Sequence, residues 1–205
     1  MTTETLLIET PVHGRVRVRP GGGSDLLVGF HGYAENADVN LQQLLSIPLA
    51  DRWTLAAVQA LHPFYNRQRE VVASWMTRLD REVAIRDNLS YVGKVLDRFS
   101  PTRRRVFLGF SQGVAMAYRA ASHHGGQGLI VLAGDVPPDV RDSPRGLPPV
   151  FLARGRTDAG YPEEQFKKDL RFLEGVTRVE SLEFTGGHEW TDEFRSAVAA
   201  FLDTV

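Results

Sequence analysis

Six histidines, one serine framed by glycines and the absence of cysteine define the chemistry open to this chain. Residues 105–121, RVFLGFSQGVAMAYRAA, run from a β-like stretch through Gly109-Phe110-Ser111-Gln112-Gly113 into an Ala-rich helical stretch. A sharp turn from strand to helix forces its central residue into strained geometry, and glycines two positions to either side let the crossing backbones approach. Ser111 would then project into a cleft as a nucleophile; the plainer alternative is a glycine-rich turn in which Ser111 caps the helix. A serine hydroxyl attacks poorly at neutral pH without a general base, and histidine has the suitably placed pKa. His188, in Phe184-Thr185-Gly186-Gly187-His188, follows the last expected strand, and its two glycines would let it reach across the strand ends. His123 and His124 end the helix after Ser111, where a cation favours the terminus, so they are expected as capping residues. His13 is remote, His62 has no neighbours that fix its geometry, and His31 is expected to hold a glycine loop by hydrogen bonding.

The base needs an acceptor that selects its tautomer and stabilises the transient imidazolium. Asp158, after residues 149–153 through Arg154-Gly155-Arg156-Thr157, is favoured because the acid in a Ser, Asp, His chain order usually follows the later strand. Asp135, after Leu132-Ala133-Gly134, is the second candidate, with a turn or helix-cap role as its plainer reading. A tetrahedral intermediate also needs N–H donors for its developing charge. Gln112, at the helix start, is expected to give one from its backbone. The loop His31-Gly32-Tyr33-Ala34-Glu35-Asn36 is expected to give the other, from Tyr33, whose side chain would join the acyl wall.

The elements that must position these groups alternate. Short, turn-bounded apolar runs at residues 25–30, 54–58, 105–109, 128–133, 149–153 and 178–184 read as buried parallel strands. Helical patterns fill residues 39–46, 80–99, 112–122, 162–173 and 191–204; in the last, Phe194, Val198, Phe201 and Leu202 share one face. Residues 5–10 and 16–19 read as an initial hairpin. The expected fold class is therefore α/β, a mostly parallel central sheet with helices on both faces, in one domain over residues 1–205. Sites in such sheets lie at the carboxyl ends of the strands. Residues 59–80, rich in aromatics, form the candidate pocket wall. Arg67 and Arg69 are assigned to a solvated loop face.

Composition narrows the function further. A chain of 205 residues with 42% apolar and 24% charged side chains fits one globular domain, neither disordered nor membrane-spanning. With 24 basic against 25 acidic groups, no field would recruit nucleic acid or an anionic membrane. Without cysteine there are no disulfides, thiolate-held metals or cysteine nucleophile. Residues 1–20 lack the pattern of a secretory signal, so the cytoplasm is the expected compartment. No metal or cofactor is expected, and the expected partners are a small-molecule ester and at most a second copy of the chain.

The blocks HGYAEN, GFSQG, GRTD and GGHEW, in that order over nearly the whole chain, resemble the α/β-hydrolase superfamily. They are most similar to its phospholipase/carboxylesterase family, which includes acyl-protein thioesterases. The resemblance implies Ser111, Asp158 and His188 as a catalytic triad and Tyr33 and Gln112 as oxyanion-hole positions. It further implies Trp75, in Ala73-Ser74-Trp75-Met76, as an aromatic lining the acyl pocket. Three departures alter the pocket wall without removing a catalytic group: Val114 in place of a third glycine, Met76-Thr77 in place of Phe-Asp, and Ala34 in place of glycine. The chain is thus expected to be a carboxylesterase-type serine hydrolase of small acyl esters, with thioesters and lysophospholipids as further candidates. The alternative class is a hydrolase-like binding protein that keeps the pocket without turnover. Between the strands at 128–133 and 149–153, only residues 134–148 are available, which leaves no room for a separate lid domain and implies an open cleft.

Overall fold

A computed structural model describes residues 2–144 and 146–205. Its centre is a seven-stranded sheet in the order β1-β3-β2-β6-β7-β8-β9. The strands are β1 (Val16–Arg19), β2 (Leu26–Phe30), β3 (Thr54–Val58), β6 (Arg105–Phe110), β7 (Gly128–Leu132), β8 (Val150–Gly155) and β9 (Val179–Phe184). All neighbours are parallel except β1, which runs antiparallel to β3. A separate antiparallel hairpin pairs β4 (His62–Tyr65) with β5 (Val71–Ser74).

The helices are α1 (Ala37–Leu45), α2 (Arg81–Asp97), α3 (Gln112–His124), α4 (Pro138–Asp142), α5 (Glu163–Glu174) and α6 (Asp192–Leu202). Buried side chains of α2, α3 and α5 join one apolar layer, while those of α1 and α6 join the other. The sheet is thereby covered on both faces, so β2, β6, β7 and β8 are apolar through successive residues rather than at every second one. In β2, Leu26, Val28 and Phe30 enter one layer and Leu27 the other. Gly29 gives way to α1: a Cβ there would lie 2.2 Å from Asn40 Oδ1.

The order of strands fixes where a site can form. From β2 the chain goes to β3 on one side, then crosses past β2 to β6 on the other. The carboxyl ends of β2 and β6 are therefore adjacent while their connections diverge, which leaves a crevice between them. Between β7 and β8 the only regular element among the described residues is the short α4, anchored by its buried Val140.

The initial hairpin is a correction. Residues 5–10 form no strand, and Leu6, Leu7 and Ile8 are exposed. Val16–Arg19 does form a strand, but it pairs with β3. An isolated two-stranded ribbon is marginal, whereas joining an existing sheet edge brings a packed face, so β propensity at residues 5–10 does not decide the pairing.

Gly29→Ala should lower stability by about 1–3 kcal/mol through overpacking against Asn40 and Leu44. In the Asn40→Ala background the same change should cost much less. Equal costs in urea unfolding would show that Asn40 is not what Gly29 accommodates.

Candidate active site

Ser111 joins β6 to α3 with φ 52° and ψ −120°, a conformation that L-residues adopt only under constraint. Its amide donates to Leu132 O at 2.9 Å, and its carbonyl accepts from Val114 N at 3.0 Å. A Cβ on Gly109 would lie 2.6 Å from Gly113 O, and one on Gly113 would lie 2.2 Å from Phe30 O. These two glycines are required by backbone contact alone. The Ser111 side chain makes no helix-capping hydrogen bond. Its Oγ lies instead 2.8 Å from His188 Nε2.

His188 Nδ1 is 2.8 Å from Asp158 Oδ2. Asp158 Oδ1 accepts from Gly160 N at 2.8 Å and Tyr161 N at 3.1 Å. A carboxylate can only accept, so Nδ1 carries the ring hydrogen and the Nε2 lone pair faces the serine hydroxyl. The Asp158 side chain is fully buried while that of His188 is 40% exposed, which leaves the imidazole open to the cleft and its partner dry. The loops that carry the two residues are locked together. Thr157 Oγ1 donates to Gly186 O at 2.8 Å, Arg156 N donates to Phe184 O at 2.9 Å, and a Cβ on Gly155 would lie 2.2 Å from Gly187 O. Phe110 lies against the imidazole, with ring centroids 5.0 Å apart.

The loop after β2 is held from beneath. Ala60 N donates to His31 Nε2 at 3.1 Å, so Nδ1 bears the hydrogen and donates to Gly32 O at 2.6 Å. Burial drives the His31 pKa down to about 4 from 6.5, the Gly32 bond opposing in part. Glu35 turns back to accept from Gly32 N at 2.7 Å; burial raises its carboxyl pKa, against the opposing effects of that bond and of nearby His188. Ala34 sits at φ 59°, where a glycine would be unstrained. Among the described residues, the backbone amides of Tyr33 and Gln112 have no internal hydrogen-bond partner. Unpaired donors of this kind are what an oxyanion needs.

The cleft beside Ser111 has a volume of about 570 Å³ and opens to solvent; Met76, Thr77, Gln112, Asp135 and His188 are among its walls. Asp135 reaches the cleft but not His188, whose Nδ1 is engaged by Asp158. Two expectations for the wall need correction. Trp75 does not line the cleft: it is fully buried, packs on Phe30 and His31, and donates from Nε1 to His31 O at 2.8 Å. Tyr33 is 59% exposed, its ring stands against Phe64, and it is not among the residues that line the cleft. From residues 59–80 only Met76, Thr77 and Arg78 reach it, followed by Arg81; Arg67 and Arg69 are exposed elsewhere. The period of the sequence could not reveal this, because the β4–β5 hairpin reverses the chain just before these residues.

His124 is occupied elsewhere, its Nε2 lying 3.2 Å from Leu89 O. Among the described residues no group of three or more His, Asp or Glu side chains is placed to hold a metal ion, and no helix is long and apolar enough to cross a membrane.

No protein-family model matches the chain, and no curated protein matches it by sequence. Solved structures do match. A carboxylesterase from Mesorhizobium loti aligns with a TM-score of 0.77 at 16% identity, covering 94% of this chain and 95% of that one. Esterase PE8 aligns at 0.75 and 19% identity over 95% and 100% of the two chains. Zea mays acyl-protein thioesterase 2 aligns at 0.71 and 17% identity over 94% and 99%. The chain therefore has the α/β-hydrolase fold that these esterases share.

The buried neutral His31 makes stability pH-dependent. Its folded pKa is depressed, so its contribution is complete above about 6.5, the unfolded value, and fades as pH falls toward 4. That range corresponds to about 3 kcal/mol. Urea unfolding from pH 7 to 4 should therefore show a steeper acid loss in the native chain than in His31→Asn. Parallel pH profiles would refute the assignment.

Proposed function

We propose that the chain is a serine hydrolase of carboxylic esters, acting through an acyl-enzyme on Ser111. The observation that carries this reading is the continuous hydrogen-bonded series from buried Asp158 through His188 to Ser111 Oγ, at 2.8 Å for each His188 contact. It lies in the crevice where the strand order of the sheet reverses.

His188 Nε2 takes the Ser111 proton as Oγ attacks the acyl carbon. The carbonyl oxygen becomes an oxyanion, which receives the free amides of Tyr33 and Gln112. Removing one such donor typically costs about 3–4 kcal/mol. The intermediate collapses, and the leaving alcohol or thiol departs with the proton held by His188. Water then attacks the acyl-enzyme with the same base, which releases the acid and restores Ser111. Asp158 holds the Nδ1–H tautomer and balances the imidazolium. The open cleft suits small or short-chain acyl esters. Thioesters fit the same chemistry, because a thiol leaves from the tetrahedral intermediate at least as readily as an alcohol.

Turnover of a short 4-nitrophenyl ester should fall by at least about a thousandfold in Ser111→Ala, with an unchanged circular dichroism spectrum. A fluorophosphonate probe should label Ser111 in the native chain. Failure of both would leave the cleft as a binding site without turnover. Asp158→Asn should be crippled, by about the same factor, and Asp135→Asn should retain most activity. The reverse ranking would reassign the acid.

A further inference from the structure

Two arginines line the cleft without a part in the chemistry above. Arg78 precedes α2 and Arg81 opens it, and both border the same cavity as Ser111 and His188. Both are exposed, and among the described residues neither guanidinium forms an ion pair or a hydrogen bond. By contrast, Arg103, Arg104, Arg119, Arg141 and Arg154 are each committed to a carboxylate.

Helix stability does not explain this placement. A cation at a helix N-terminus opposes the backbone dipole, and Asp80 offers no side-chain cap in compensation. Glu82, the acidic residue of that first turn, does not line the cleft. Breaking a local rule beside a reactive serine points to a role in the site.

The opposing charges are few. Asp135 lines the cleft and, among the described residues, its side chain forms no ion pair or hydrogen bond. Asp139 feels the field of Arg81, but its two oxygens are held by Arg119 at 2.7 and 2.9 Å. Among the described residues that line it, the cleft therefore carries two unpaired guanidinium groups against one acidic side chain, in a chain whose formal net charge is −1. The local balance is the reverse of the global one. A guanidinium presents a planar fork of donors that fits carboxylate and phosphate oxygens.

We propose that Arg78 and Arg81 bind an anionic group of the substrate, so that the preferred esters carry a carboxylate or phosphate in addition to the scissile bond. This rests on the ester-hydrolase reading and narrows it to acidic esters. The two arginines set specificity and leave the bond-breaking steps to Ser111 and His188.

Two matched pairs of esters test the proposal. 4-Nitrophenyl hydrogen adipate against 4-nitrophenyl hexanoate places the charge on the acyl side; 4-acetoxyphenyl phosphate against phenyl acetate places it on the leaving group. After subtraction of uncatalysed hydrolysis, kcat/KM should favour the anionic member of at least one pair by about fivefold at low salt, with most of the preference lost near 0.5 M NaCl. In the Arg78→Ala/Arg81→Ala double variant that ratio should fall to one or below, and Lys at both positions should restore part of it. Because each protein supplies its own neutral reference, a general loss of activity does not imitate the effect. Neutral esters cleaved as well as anionic ones, or a ratio indifferent to both substitutions, would overturn the proposal. Turnover of none of the four would overturn the hydrolase reading itself.

Discussion

The site depends on a close approach of two backbones. The start of α3 lies so near the end of β2 that a Cβ on Gly113 would meet Phe30 O at 2.2 Å and His31 O at 2.6 Å. That contact sets the loop after β2 beside Ser111, so the free amides of Tyr33 and Gln112 belong to one rigid assembly. The cost is Ser111 at φ 52°, strain of about 1–3 kcal/mol that persists only where the surroundings over-determine it. They do so through β7 on one side and α3 on the other, each by a backbone hydrogen bond. Gly134 completes the enclosure, since a Cβ there would lie 2.8 Å from Ser111 O.

A second layer of polar contacts makes the elbow and the loop after β2 move as one. The Gln112 side chain accepts from Trp75 N at 3.0 Å and donates to Met76 O at 3.0 Å. Trp75 in turn donates to His31 O, and Asn88 of α2 donates to Trp75 O at 2.9 Å. A residue that begins α3 is thus tied through Trp75, by its backbone amide on one side and its indole on the other, to the loop that supplies the other free amide. Trp75 is a brace in the core, and its full burial shows how a tryptophan next to a cleft can serve the cleft without touching it.

Much of this was legible in the sequence, for reasons that also explain what was not. Strands covered on both faces are apolar through most of their length, so their runs marked themselves; Thr54–Val58 appears with its expected ends. Ser111 and Asp158 each followed such a run, His188 followed the half-exposed edge strand β9, and parallel strands carry all three to the same edge of the sheet. Residues 5–10 misled because their composition suits a strand but their partner was not encoded locally. The wall formed by Met76 to Arg81 was hidden by the β4–β5 hairpin, whose geometry decides which side chains of the next turn face inward. Arg78 and Arg81 carry no mark in the sequence that separates them from the solvated Arg67 and Arg69, because the type of a charged residue gives no sign of the direction it faces.

The precision of Asp158 comes from charges outside the cleft. Its Oδ1 is held by the amides of Gly160 and Tyr161, so the position of Tyr161 sets the angle of the carboxylate toward His188. Tyr161 is fixed twice. Its hydroxyl donates at 2.8 Å to the wholly buried Asp169, which also accepts from Arg141 and Gln165. Its carbonyl accepts from Arg154 Nε at 3.1 Å, while that guanidinium also grips Glu183 of β9 at 2.7 Å. Burial, with the neighbouring Asp169 carboxylate, pushes the Tyr161 phenol far above its ordinary pKa and keeps it a hydrogen-bond donor. Ion pairs buried in this way lose in desolvation about what they gain in attraction, so they add little net stability. What they do here is restrict one loop to a single arrangement, from α5 on one side and β9 on the other. The hydrogen bond from Asp158 to His188 therefore owes its direction to two arginines and an aspartate that no substrate would touch.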